Sequence, residues 1–440
     1  ATLLAIGHDG VVARQLEVEV SVGSPALVAN LAFIPWQNQY VTVYDLSSGD
    51  EVARVTMRQQ TSRATVIGGA LYFGELGLTR FDQKIAVSSR NEANYVVLPA
   101  RELPGSPRWM RPGSSPVGAQ SDAFDKIRLY ARPSDSKGPL GIDAERYYAT
   151  YYHVLLGLDA KTGELRWTKS VTSDISGGAA YRGGMCACMD DGRVAFFDGV
   201  TGRSAGELSM GEPLRSCVVQ AESLNRPATG AAESFVSQLS SAIEVRETEM
   251  VMMQKFLLRE LLAKQDEDVT KKLIELASDN RTSPALLPDV RSGLAARRNG
   301  ASYMIEALAK RYDYLKDVLV APPVGPMADA LAAMGEAKAA PLLAAHMLDP
   351  QTEPDDVKQV VMALSVLGTE AELGALQSFF KLYRCTEQEA LAESVVLAAK
   401  AILRVGGDKS KGQLRDAASD SLTNTIVRES LQAILPKAGK

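Results

Sequence analysis

Apolar and polar positions follow two rhythms along this chain. Up to residue 222, short runs rich in Val, Leu, Tyr and Phe stop at Gly, Asp, Ser or Pro, the pattern of strands joined by tight turns. Past residue 231, Pro and Gly only punctuate long stretches of Ala, Leu and Glu whose apolar positions recur with helical period. The reading is a multidomain chain: an all-β domain over 1–222, a linker over 223–231 centred on Asn225 to Gly230, and an all-α domain over 232–440.

A short motif recurs in the β half. "VYDLSSGDEVARVT", "GLDAKTGELRWTKS" and "FFDGVTGRSAGELS" superpose Asp45, Asp159 and Asp198, each followed three and four positions later by Ser or Thr and then Gly. The apolar run before each Asp predicts a strand, the Asp carboxylate suits the amides of its own turn, and the Gly supplies a positive φ at the return. A weaker copy, "LTRFDQKIAV", places Asp82 37 residues after Asp45, and Asp198 follows Asp159 by 39. That period of about 40 is the length of one four-stranded propeller blade. One blade reads as "SGGAAYRGG", "MCACMDDG", "RVAFFDG" and "RSAGELSM", with hairpins at Gly183-Gly184 and Asp191-Gly192.

From Asp82 to Asp159 the distance is 77 residues, and the Pro-, Gly- and Ser-rich segment near 103–135 reads as an insertion on one blade, with strand character resuming at "KIRLYARP" and "RYYATYYHVLLGLD". "LRSCVVQAE" (Leu214 to Glu222) reads as a first strand without successors and "TLLAIGHDGVVARQLE" (Thr2 to Glu17) as later strands without a first. Together they would complete a blade, close the ring and remove its sheet edges, for about five blades, with room for more upstream. The start, without Met, charged n-region or apolar h-region, is that expected of a processed or incomplete chain, with a signal peptide or a lipid-anchor segment as alternatives upstream.

The pattern Leu-Asp-Ala-x-Thr-Gly-Glu-x-x-Trp, Leu158 to Trp167, resembles the pyrroloquinoline-quinone-like propeller repeat. Its carriers include quinoprotein dehydrogenases, BamB-type outer-membrane assembly lipoproteins and many extracytoplasmic propellers. The resemblance covers roughly Thr2 to Glu222. Trp167 stands at the docking position, where sister copies carry Ala53 and Gly206.

In the helical half, "ESFVSQLSSAIEVRETEMVMMQKFLLRELLAKQ" predicts one long amphipathic helix or a pair, with Leu239, Ile243, Met250, Met253, Leu257 and Leu261 facing a core. Further on, "ALAAMGEAKAAPLLAAHML", "ALSVLGTEAELGALQSFFKL" and "AILRVGGDKSKGQLRDAAS" align on Gly335, Gly368 and Gly406, 33 and 38 residues apart. Each Gly is expected as the left-handed end of a first helix, with Thr369/Glu372 and Thr386/Glu389 as capping boxes and Pro341 and Pro354 in first turns. Paired helices at this period resemble HEAT-like repeats over about 325–435, an α-solenoid whose usual use is to bind other proteins.

Composition narrows function by exclusion. With 46% apolar and 23% charged residues the chain is a folded one, and a net charge of −5 lacks the clustered Lys and Arg of a nucleic-acid binder. No apolar run approaches the roughly 18–20 residues of a membrane span. His8, His153 and His346 have no partners at metal spacing. Cys186 and Cys188 share one face of a strand as small buried residues, and a bridge from either to Cys217 is open in an oxidising compartment, with Cys385 left over. Gly68 to Gly77 lacks the Lys-Ser/Thr ending of a phosphate loop, and Asp190-Asp191 lacks an alternating calcium loop. The adjacent cysteines of quinoprotein dehydrogenases are missing.

No catalytic, cofactor-binding or metal residues are therefore expected, and no cofactor. The expected function is a non-enzymatic extracytoplasmic scaffold that binds other proteins in a periplasmic or outer-membrane-associated assembly, tethered to the membrane if an anchor precedes the chain. Two alternatives stand beside it: a quinone-dependent dehydrogenase or small-ligand sensor propeller, and a structural subunit of a larger surface machine or filament.

Overall fold

The computed structural model describes residues 2–7, 9–19, 22, 25–28, 31–36, 38–61, 64–67, 70–73, 79–80, 95–97, 127–131, 146–159, 164–215, 217, 226–244, 247–310 and 322–435. The chain divides into two compact units, Ala1–Leu257 and Leu258–Lys440.

The first unit opens with β1 (Thr2–Ile6) and β2 (Val12–Glu17), an antiparallel pair. A meander of β3 (Ala26–Val28), β4 (Leu31–Pro35), β5 (Asn38–Asp45) and β6 (Glu51–Thr61) follows. Next come β7 (Ala64–Ile67), β8 (Ala70–Phe73) and β9 (Thr79–Arg80), which form their own sheet, while β10 (Tyr95–Val97) lies parallel on β6. Two further sheets are uninterrupted four-stranded antiparallel meanders. One is β11 (Ile127–Ala131), β12 (Arg146–Tyr151), β13 (Val154–Asp159) and β14 (Leu165–Ser170). The other is β15 (Ile175–Tyr181), β16 (Gly184–Met189), β17 (Arg193–Asp198) and β18 (Ser204–Ser209), the four segments read as one blade from the sequence.

Period-two alternation gives the last meander two apolar faces. On one, Met185, Ala187, Met189, Ala195 and Phe197 pack with Tyr148, Leu155 and Trp167 of the preceding meander. On the other, Cys186, Phe196, Tyr181 and Ala205 form a second cluster. A sheet buried on both faces explains why the β16 run "GMCACM" carries no polar residue.

Of the insertion expected near 103–135, Ile127–Ala131 is β11, the first strand of a meander, and the rest lies outside the described residues. Asp82 and residues 218–222 of the expected closing strand also lie outside them. Arg226 to Gly230, within the expected linker, runs against β18: Thr229 and Gly230 both donate to the Ser204 carbonyl, at 2.8 and 2.9 Å.

The "ESFVSQ…" segment is a helix pair, α1 (Phe235–Ile243) and α2 (Val251–Leu262), and its Met250, Met253, Leu257 and Leu261 are fully buried. Ser234 caps α1 by accepting from Ser237 N at 3.1 Å. In the second unit follow α3 (Glu267–Ser278), α4 (Leu287–Ala295), α5 (Ala301–Leu308), α6 (Val324–Met334), α7 (Ala340–Met347) and α8 (Pro354–Leu367). Then come α9 (Leu373–Tyr383), α10 (Glu389–Gly406), α11 (Lys411–Ser419) and α12 (Thr425–Ile434). They pack in two rows: α4, α6, α8, α10 and α12 touch in succession, and α5, α7 and α9 touch in a second row.

Helix ends follow the expected chemistry in part. Gly335 closes α6 with φ +74, its amide donating to Ala332 O and that of Glu336 to Leu331 O. Gly368 ends α8 in extended rather than left-handed backbone, at φ −63 and ψ 142. Gly406 is still helical, and Gly407, at φ +55, carries the positive φ after α10. Glu372 reaches back to the Thr369 amide at 2.8 Å as a capping box requires. Thr386 does not cap with Glu389: its hydroxyl accepts from Gln388 N at 3.2 Å, and α10 starts one residue later. Pro341 and Pro354 occupy first turns, where a missing N–H costs nothing.

Candidate functional site

The recurring motif of the first unit holds turns. After β17, Asp198 Oδ1 accepts from the amides of Val200 (3.2 Å) and Thr201 (2.8 Å) and from the Thr201 hydroxyl (2.6 Å). The Gly202 amide donates to Asp198 O at 2.9 Å with φ +69. After β5 the geometry repeats: Asp45 Oδ1 accepts from Ser47 and Ser48 amides, and Gly49, at φ +74, donates to Asp45 O at 2.7 Å. After β13, Asp159 N donates to Glu164 O and its carboxylate pairs with Arg166 at 2.9 Å, while Thr162 and Gly163 lie outside the described residues. The Asp45 and Asp198 carboxylates accept from the amides of their own turns, and that of Asp159 is engaged by Arg166 of the following strand.

Trp167, 1% exposed, projects from β14 into the next meander, where its indole Nε1 donates to Gly199 O at 3.0 Å. A Cβ on Gly157 or Gly202 would stand 2.2 or 2.6 Å from the indole, so two glycines make room for it. The "GLDAKTGELRWTKS" stretch thus closes one hairpin and locks two sheets together.

The cysteine reading resolves into a cluster of three sulfurs. Cys188 and Cys217 form a disulfide with Cα atoms 6.1 Å apart, within the span such a bond accepts. Cys186, on the same face of β16 two residues earlier, places its Sγ 3.8 Å from Cys217 Sγ. Burial pushes the Cys186 thiol above its ordinary value, as it does the neighbouring Tyr181 phenol, to about 12. Beside the cluster, the Arg226 guanidinium lies 4.0 Å from the Phe196 ring centre. Cys385 is exposed and free.

The remaining candidates serve the fold. His153 Nδ1 stands 3.6 Å from both Asp174 and Glu247 carboxylates, and buried His346 bonds Leu308 O through Nε2 at 2.8 Å. His8 lies outside the described residues, as do Gly68, Gly69 and 74–78 of the glycine-rich stretch. Asp191 pairs with Arg193 at 2.5 Å, and this partner holds its carboxyl down at about 2. Among the described residues, no group of three or more His, Cys, Asp or Glu is placed to hold a metal ion.

Periodicity did not reveal two features. Gln238 of α1 lies along β14: its Oε1 accepts from the Thr168 amide at 3.2 Å, and its Nε2 faces Thr201 O at 3.5 Å. The second unit has an open cleft of about 580 Å³ between α9 and α11, lined by Phe380, Lys381, Arg384, Gln413, Asp416 and Asp420. Across that cleft Arg384 pairs with Asp420 at 2.6 Å and donates to Thr423 Oγ1 at 2.8 Å. Nothing in the spacing of these residues marks them beforehand, because helix packing alone brings α9 and α11 together.

Successive four-stranded meanders whose last two strands are joined by an Asp-turn motif, followed by a two-row helical region, define a β-then-α repeat protein. Residues 37–224 match the family described as "Outer membrane protein assembly factor BamB". Solved structures similar to the chain include BamB from Moraxella catarrhalis, at 16% identity over 47% of this chain and 58% of that one, TM-score 0.27. The β-propeller domain of Cps50 (Swd1) from Myceliophthora thermophila is 16% identical over 47% and 66%, TM-score 0.29. A chain of a mitotic checkpoint complex is 15% identical over 47% and 57%, TM-score 0.31. The chain spans 57 to 66% of the length of these structures. No curated protein matches it. The match falls within the sheet-rich part of the chain, and helices follow it.

Proposed function

We propose that the protein is a non-enzymatic scaffold that holds other proteins in an outer-membrane-associated assembly of the cell envelope. The observation that carries this reading is the BamB-type match over 37–224, in which the motif residues are engaged in turns and sheet docking rather than turned toward a ligand. Two further features support it. A Cys188–Cys217 disulfide suits an oxidising, extracytoplasmic compartment. The paired helices of the second unit are a HEAT-like solenoid in this reading, an architecture that presents extended surface to partners.

The test is the native mass and subunit content of the full chain recovered from the detergent-solubilised envelope of its source. The expected result is a complex of fixed stoichiometry whose other subunits are outer-membrane assembly proteins. A lone chain that shows a quinone absorption band and dehydrogenase turnover would overturn the proposal.

A further inference from the structure

Cysteines at i and i+2 of a strand face the same way, about 6.6 Å apart along it. Here both belong to the inner strand β16, and Cys217 comes down on the same face. Cys217 is bonded to Cys188, yet its sulfur is also in van der Waals contact with Cys186, at 3.8 Å. Cys186 is 2% exposed and Cys188 fully buried, so external thiols have little access to either, while the third sulfur is already inside. A thiol beside a disulfide, sharing one bonding partner with it, is the starting arrangement of thiol–disulfide exchange.

We propose that Cys186, Cys188 and Cys217 form an internal exchange site, in which Cys217 bonds to either strand cysteine and moves between them. In the step, Cys186 gives up its thiol proton to solvent and its sulfur lone pair attacks Cys217 Sγ. The Cys186–Cys217 bond forms as the Cys188–Cys217 bond breaks, and Cys188 leaves as a thiolate that takes up a proton. One disulfide is lost and one gained, so the step needs no external oxidant or reductant. Each transfer shifts the anchor of Cys217 by two residues of β16, about 6.6 Å.

Burial keeps the Cys186 thiol protonated at neutral pH, and the attacking species is the thiolate. Exchange is accordingly slow near neutrality and quickens about tenfold per pH unit while the thiolate is the minor form. Exposed Cys385 offers a competing thiol, so the experiment uses the full chain with Cys385→Ala, in which any transfer must come from the three clustered sulfurs.

The protein is incubated without reductant at several pH values, quenched in acid with a maleimide, and mapped by fragmentation that separates Cys186 from Cys188 at Ala187. The expected result is two cross-linked species, Cys188–Cys217 and Cys186–Cys217, that interconvert at a rate independent of protein concentration and faster at higher pH. In C188A treated with oxidised glutathione as the oxidant, Cys217 is expected in a bond to Cys186. Only Cys188–Cys217 in the parent at every pH overturns the proposal, and so does interconversion that scales with protein concentration. The parent protein alone decides the matter if C188A does not fold.

Discussion

At the scale of single residues, the side chains that make the repeat recognisable work for geometry. Asp198 Oδ1 accepts three hydrogen bonds from its own turn, so Asp198→Ala is expected to lower stability by about 1–2 kcal/mol, the scale of a lost cap, and Asp198→Asn by less. Urea denaturation followed by tryptophan fluorescence measures both, and equal losses for the two variants would contradict this account of the turn. Trp167→Ala removes a buried ring and leaves the Gly199 carbonyl without its donor, an expected cost of about 3–5 kcal/mol in the same measurement. Asp191 adds a pH dependence: Arg193 depresses its folded pKa from 3.8 to about 2. The stabilisation is present above pH 3.8 and is lost as the pH falls toward 2, so Asp191→Asn should flatten the acid limb of the stability profile in that window. An unchanged acid limb would remove the Arg193 pairing as its cause. All these residues were legible as a motif, but their use was not: an Asp that accepts amides and one that holds a ligand are spelled alike.

At the scale of elements, strands and helices follow hydrophobic period, and their ends depend on detail. Gly335, Gly368 and Gly406 align in sequence, yet only Gly335 is left-handed, because each helix end is decided by which carbonyls and neighbours surround it. Gly335→Ala meets no atom within 4 Å, so its cost is purely backbone, about 1 kcal/mol. Gly374, within α9, also faces open space but at negative φ, so Gly374→Ala should stabilise by about 0.4–1 kcal/mol. Opposite signs for the two variants in chemical denaturation are the expected outcome. The α1–β14 contact is a tertiary matter. Gln238→Ala leaves the buried Thr168 amide without its acceptor, an expected loss of about 1–3 kcal/mol accompanied by faster hydrogen exchange at Thr168. Unchanged exchange there would mean that the side chain is not what protects the strand.

At the scale of the whole molecule, the two compact units can be followed separately. Trp36 and Trp167 lie in the first unit and no tryptophan of the sequence falls after residue 257, whereas α3 to α12 lie in the second unit. Tryptophan fluorescence and far-ultraviolet circular dichroism should therefore report different midpoints on thermal unfolding, and Trp167→Ala should lower only the fluorescence midpoint. Coincident midpoints that fall together would show one cooperative molecule instead. By itself the sequence determined the change from strand period to helix period, the blade of four strands, the Asp–Gly turns and the family resemblance of Leu158 to Trp167. Each is written in local spacing, since period and turn chemistry act over a few residues. Tertiary structure alone decided that Trp167 meets Gly199, that Gln238 covers β14, that Cys217 is bonded to Cys188 with the Cys186 sulfur in contact with it, and that α9 and α11 open a cleft. Contacts between residues far apart in the chain depend on how faces pack, and period places a side chain on a face without saying what that face will meet.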